Sequence, residues 1–169
     1  SRPLWNQPFQ PLTSRQEMMR VGPAGVLFCS FQSHRHLVVC RPIDGEILWR
    51  RGDLEKGSDS FADAASGLFG DQRVLVVCAA DRIGHDVFDT VTGDRLRHQR
   101  LPITPRTRRR AFGRHLMYVT MTSTGQQRMR VWDPLDNRTI IDELLKDRIF
   151  PTATQDHQLS WIDSSGRLK

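Results

Sequence analysis

Residues 95–114 hold eight arginines and no acidic residue. Arg100, Arg106, Arg108, Arg109, Arg110 and Arg114 crowd the connection that runs from Leu101 to Phe112. Guanidinium groups at this density could grip phosphates, an acidic protein face or an anionic membrane surface through charge-assisted hydrogen bonds. The rest of the chain carries 17 basic and 19 acidic residues, so the whole net charge of +6 originates in this one segment. Aromatic side chains for stacking bases are not interleaved with it. The alternative account is a solvated basic loop, or arginines paired with acids of an adjacent unit.

Other residues suited to chemistry are sparser. His34-Arg35-His36 would set two imidazoles on one face of a strand, with Cys40 four residues on. Metal binding needs more ligands than that, and a solvated turn is the plainer account. Cys29, Cys40 and Cys78 make neither a Cys-x-x-Cys motif nor an even set for disulfides; Cys40 and Cys78 close similar strands and so read as small buried hydrophobes, with a bridge or reactive site the alternative. There is no nucleophile elbow, phosphate-cradling glycine loop or zinc-protease helix motif. Asn137-Arg138-Thr139 spells a glycosylation sequon, but it falls at a tight turn. No run approaches the roughly 18 apolar residues of a membrane-spanning helix.

The elements that must position these residues are repeated. Val87-Phe88-Asp89-Thr90-Val91-Thr92-Gly93-Asp94-Arg95-Leu96 recurs 44 positions on as Val131-Trp132-Asp133-Pro134-Leu135-Asp136-Asn137-Arg138-Thr139-Ile140. A weaker form, Pro42-Ile43-Asp44-Gly45-Glu46-Ile47-Leu48-Trp49, lies 48 positions before Gly93. Each predicts a strand, a turn whose Gly45, Gly93 or Asn137 accepts positive φ, and a returning strand. Self-similarity at this period marks a repeat architecture, and four short strands per repeat make a propeller blade.

The expected layout follows the chain. Residues 1–15, with Pro3, Pro8 and Pro11, form an extended lead-in. Blades are expected at 16–51, 66–101 and 109–144, and a partial fourth at 151–169. Residues 52–65 read as a polar loop between blades. Leu37-Val38-Val39-Cys40 and Leu75-Val76-Val77-Cys78 look like the same strand in neighbouring repeats, and Phe28, Phe69 and Phe112 head similar segments at spacings of 41 and 43. Helical periodicity is nearly absent, with at most one turn at Asp142–Lys146. About three and a half blades do not close a ring, so the rest of a longer chain is expected to complete the propeller. Strand spacing alone would also permit a twisted all-β sandwich; the recurrence of turn position and flanking residues favours the propeller.

Residues 38–50 and 86–97 resemble repeats of the quinoprotein-like and WD40-like β-propeller superfamily. Val87–Leu96 resembles its strand, Asp, Thr-Gly turn and returning strand. Ile43-Asp44-Gly45-Glu46-Ile47-Leu48-Trp49-Arg50 resembles the quinoprotein form, with Trp four residues after the turn Gly. Val131-Trp132-Asp133 has the Trp-Asp pair of WD repeats without the Gly-His before it. One activity the resemblance implies is a dehydrogenase dependent on pyrroloquinoline quinone (PQQ) and calcium. Its candidate residues would be Trp49, Trp132, Asp89, Asp133 and Asn137. All five sit at repeated turn or strand-packing positions, where Trp packs between blades and Asp caps its own turn. The reading that emerges is a non-catalytic propeller module, without a cofactor, that binds a protein partner and presents a basic inter-blade loop to an anionic one. A fragment of a quinone-dependent enzyme is the alternative.

Overall fold

The computed structural model of the chain describes residues 16–20, 26–32, 36–41, 46–54, 67–79, 81–146, 151–153 and 159–169. Side chains are described within these spans from Leu37 onward, except at 152 and 153. The expected lead-in, the His34–Arg35 pair and the Gly45 turn lie outside the described residues, as do the Cys29 and His36 side chains.

Strands β1 (Gln16–Arg20), β2 (Val26–Gln32), β3 (His36–Cys40) and β4 (Ile47–Arg51) pair in chain order as one antiparallel sheet. A second sheet comprises β5 (Leu68–Gly70), β6 (Val74–Cys78), β7 (Gly84–Asp89) and β8 (Arg95–Arg100). The third comprises β9 (Arg108–Phe112), β10 (His115–Met121), β11 (Gln127–Asp133) and β12 (Arg138–Leu144). A two-stranded sheet of β13 (Thr152–Ala153) and β14 (Leu159–Ser160) follows, with isolated bridges from Leu145 to Asp163 and from Ile162 to Leu168. Among the described residues there is no helix.

Two local devices recur at the described turns. First, an aspartate at a strand end accepts backbone N–H groups of the turn beyond it. Asp89 Oδ1 takes Val91 and Thr92 at 2.8 Å, Asp81 Oδ1 takes Ile83 and Gly84 at 2.8 and 2.7 Å, and Asp163 Oδ1 takes Ser165 and Arg167. Short side chains that hydrogen-bond their own backbone two residues on favour turns for this reason. Second, the turn then needs a left-handed residue, and Gly93 (φ 76°) and Asn137 (φ 53°) supply it at the repeat positions. Past each turn the register slips by one, between Val39 and Cys40, Val87 and Phe88, and Val131 and Trp132. These sites are spaced by the 48 and 44 residues of the hairpin repeat.

Packing is sheet against sheet. Leu37, Val39 and Trp49 of the first sheet meet Leu75, Val77 and Phe88 of the second. The opposite face of the second sheet, with Val74, Val76 and Val87, meets Leu116, Tyr118 and Trp132 of the third. Met117, Val119, Met129 and Val131, on the third sheet's other face, gather Phe112, Ile141, Leu159 and Trp161. The alternation of side chains along a strand therefore sends successive residues into two different seams. A central strand such as Val74–Cys78, buried along its whole length, must be apolar throughout. Each fully buried Val or Leu contributes about 1.5–3 kcal/mol.

Three expectations need correction. Cys40 ends the third strand of its sheet and Cys78 the second of its own, so they are not equivalent. Phe28 likewise lies on a second strand, whereas Phe69 and Phe112 lie on first strands. Inner strands covered on both faces share a nearly all-apolar composition, which makes second and third strands look alike. The turn of helix at Asp142–Lys146 is also absent: Asp142, Glu143 and Leu144 pair with Arg130, Met129 and Arg128 in the β11–β12 ladder. There the ladder hydrogen bonds outweigh weak local helix propensity.

Candidate anionic-partner interface

The basic segment spans β8, the connection 101–107, β9 and the first residues after it. Arg108, Arg109 and Arg110, expected in the connection, are strand residues paired with Val119, Tyr118 and Met117 of β10. Strand alternation then sorts them. Arg108 and Arg110 are exposed, while Arg109 turns to the face that meets the second sheet, where it donates to the Arg82 carbonyl. Arg106 is exposed on the connection.

The other arginines are held by partners. Arg100 pairs with Asp81 at 2.9 Å on the surface. Arg97 donates to the Pro134 carbonyl at 3.1 Å across the seam, and Arg95 reaches Asp86 and Asp53, each at 3.5 Å. Arg114 is bidentate to Asp133 of its own sheet, 3.0 Å to each oxygen, and donates to Asp71 of the second sheet at 3.0 Å. Of the six arginines singled out as anion contacts, the structure brings Arg106 and Arg108 together on one cleft and leaves Arg110 exposed beside Arg108. Arg100, Arg109 and Arg114 are directed elsewhere.

That cleft has a volume of about 560 Å³ and lies between the 102–107 connection and the adjoining ends of β9, β10 and β11. Arg106, Arg108, Thr104 and Thr107 form its polar side, and Val119 and Met121 its apolar side. The threonines brace the connection: Thr107 Oγ1 accepts the Thr104 N–H at 2.9 Å and lies 3.1 Å from Thr104 Oγ1.

The residues that could have served a quinone are occupied structurally. Trp49 Nε1 donates to the Thr90 carbonyl at 2.8 Å in the first seam. Trp132 Nε1 donates to Asn137 Oδ1 at 3.2 Å in the second. Asp89 caps its turn, and Asp133 holds Arg114 and the Leu135 N–H. Two tryptophans in different seams do not floor one pocket. Cys40 and Cys78 are buried free thiols whose pKa burial raises, as expected of hydrophobic rather than reactive cysteines. Among the described residues no group of three or more His, Cys, Asp or Glu could hold a metal ion.

One polar group was not anticipated, and one pairing was foreseen only in kind. His85 is fully buried between Phe69 and Trp132, with ring centroids 6.5 and 5.5 Å away. Burial, then the Arg109 charge, push its pKa down to about 4. The neutral ring donates from Nδ1 to the Ile83 carbonyl at 3.0 Å. The pairing is Arg114 with Asp71, an arginine held by an acid of the adjacent unit as the alternative account had it, with Asp71 itself not named from the sequence. Its signal was available: Phe69-Gly70-Asp71 and Phe112-Gly113-Arg114 are equivalent positions 43 residues apart, bearing opposite charges.

No protein-family model matches the chain, and no curated protein does. Among solved structures it resembles a HIRA fragment, residues 644–1017, with a TM-score of 0.51, 17% identity and coverage of 94% of this chain and 52% of that one. It is also similar to the β-propeller domain of Cps50 (Swd1) from Myceliophteria thermophila, with a TM-score of 0.41, 13% identity and coverage of 89% and 62%. BamB from Moraxella catarrhalis gives a TM-score of 0.37 and 12% identity, over 88% of this chain and 48% of that one. The chain thus spans about half the length of the HIRA chain it matches. The successive four-stranded antiparallel sheets, seamed face to face, are blades, and the fold is that of a β-propeller.

Proposed function

We propose that this chain is part of a non-catalytic propeller module that binds a protein partner and offers that partner a basic contact surface. The observation that carries the proposal is the sorting within residues 106–110. Arg106, Arg108 and Arg110 are exposed, with no carboxylate anywhere from 95 to 114. Arg106 and Arg110 form no ion pair among the described residues, so their charge is directed outward. Like charges on one edge repel each other, and an anionic partner would relieve that repulsion at Arg106 and Arg110. The residues with catalytic potential, by contrast, all have structural partners in turns and seams.

The test is salt-dependent binding of duplex DNA as a generic polyanion. Three engaged arginines give a log–log slope of about −3. Replacing Arg106, Arg108 and Arg110 together by Ser should abolish binding while leaving the urea midpoint nearly unchanged, since exposed substitutions usually stay within about 0.5 kcal/mol. Failure of the unaltered chain to bind at low salt would remove the anionic surface from the proposal.

A further inference from the structure

We infer that the cleft beside Arg106 and Arg108 takes a short acidic peptide segment of the partner, with one aliphatic side chain seated on Val119 and Met121. This rests on the anionic-partner reading and narrows it to one class of ligand. Three properties of the cleft ask for three properties of its occupant.

The first is charge. Two guanidiniums on the polar side favour carboxylates. The second is apolar surface. Met121 is 61% exposed, and it lies next to Val119 in the same cleft. An exposed thioether is adaptable contact surface for an aliphatic group, and a purely electrostatic patch has no use for it. The third is a missing donor. Gln127, opposite Met121 at the end of the β10–β11 ladder, lines the cleft, and its buried Oε1 has no hydrogen-bond partner. A buried acceptor without a partner is unfavourable, so turning the Gln127 amide toward the cleft to accept an incoming N–H would regain a lost hydrogen bond.

A sulfated or phosphate polymer supplies charge but no aliphatic side chain to seat on Val119 and Met121. Nucleic acid would want stacking surfaces, and no aromatic residue lines this cleft. A peptide carries a backbone N–H at nearly every residue and can place Glu or Asp beside Leu or Val. At about 560 Å³ the cleft is within the usual size of a ligand site and far larger than one carboxylate needs.

The probes are a fluorescein-labelled Glu-rich peptide with a single central Leu, and its twin with Ser in that place, followed by anisotropy. The Leu peptide should bind about tenfold more tightly, the value of seating one aliphatic side chain. Met121→Ser should remove that advantage and leave the Ser twin's affinity unchanged. Gln127→Met should weaken both peptides several-fold. Arg106→Ser should weaken both as well. Equal binding of the two peptides, or indifference to Met121→Ser while Arg106→Ser still weakens binding, overturns the cleft proposal and leaves the anionic surface standing. If neither peptide nor DNA binds at low salt, the surface itself has failed. Met121 is exposed and Arg106 lies on the connection, so neither substitution threatens folding; an unchanged urea midpoint verifies it.

Discussion

Replacing Arg114 by Met separates structural arginines from contact arginines most sharply. The substitution keeps an apolar stem of similar length and removes only the charged fork. Three charge-assisted hydrogen bonds of 3.0 Å disappear, two to Asp133 and one to Asp71. Asp133, whose side chain is only 4% exposed, would keep the Leu135 N–H at 2.9 Å and His115 Nε2 at 3.6 Å. Asp71 would keep the Arg73 and Val74 N–H groups. Breaking a buried pair by removing one partner costs about 3–5 kcal/mol. Because the Arg114 side chain is itself 25% exposed and each aspartate retains other donors, we expect the low end, about 3 kcal/mol. Urea unfolding at neutral pH measures it.

The pH dependence supplies an internal check. Burial alone would raise both aspartates, but hydrogen bonds, including those from Arg114, hold each below the usual carboxylate value. A carboxyl with a depressed folded pKa stabilises the fold above its unfolded value, near 4, and loses that contribution as pH falls through the folded one. The gap between wild type and Arg114→Met should therefore narrow below about pH 4. A loss under about 0.5 kcal/mol at neutral pH would refute the assignment. So would an unchanged midpoint accompanied by lost polyanion affinity, which would return Arg114 to the binding surface.

Two further outcomes follow from buried geometry. A Cβ on Gly93 would lie 2.6 Å from Trp49 Cγ and Cδ2 at φ +76°, whereas one on Gly125 at φ +79° meets nothing within 4 Å. Gly125→Ala should cost only the left-handed penalty of about 1–2 kcal/mol, and Gly93→Ala clearly more, because Trp49 must leave its seam; equal urea midpoints would contradict this. His85, neutral in the fold with its pKa near 4, must take up a proton on unfolding below its ordinary 6.5. Stability should therefore fall between pH 6.5 and 4, by about 3 kcal/mol in all, and His85→Phe should flatten that limb of the urea midpoint against pH; a slope that survives the substitution assigns it to other groups.

The hairpins were legible because their chemistry is local. An aspartate, a residue that accepts positive φ and a returning strand announce themselves within ten residues, and both Gly93 and Asn137 are where such turns need them. What failed was telling one inner strand from another, since Leu37–Cys40 and Leu75–Cys78 are apolar for the same reason and in different places. The basic run was visible as composition. Its division was not, because whether Arg109 or Arg110 faces a seam depends on the register of β9 against β10, which only the pairing of Arg109 with Tyr118 settles. Arg114 reads as an anion contact for a related reason: its partners are Asp71 and Asp133, 43 and 19 residues away, and a charge tally within a window cannot see them.

Several contacts that cross the seams join residues about one repeat apart: Trp49 with Thr90, Arg51 with Gly93, Asp71 with Arg114, and Arg97 with Pro134. Each blade is therefore tied chiefly to the blade before it and the blade after it. Such an array behaves as a line of coupled units, whose cooperativity is set by nearest-neighbour terms and not by one global core. The second blade, clasped on both faces, should be the last to open, and amide protons of Val74–Cys78 and Gly84–Asp89 the slowest to exchange. Weakening a single seam, as Arg114→Met does, would do more than lower a midpoint. It would uncouple the blades on either side and divide one unfolding transition into two.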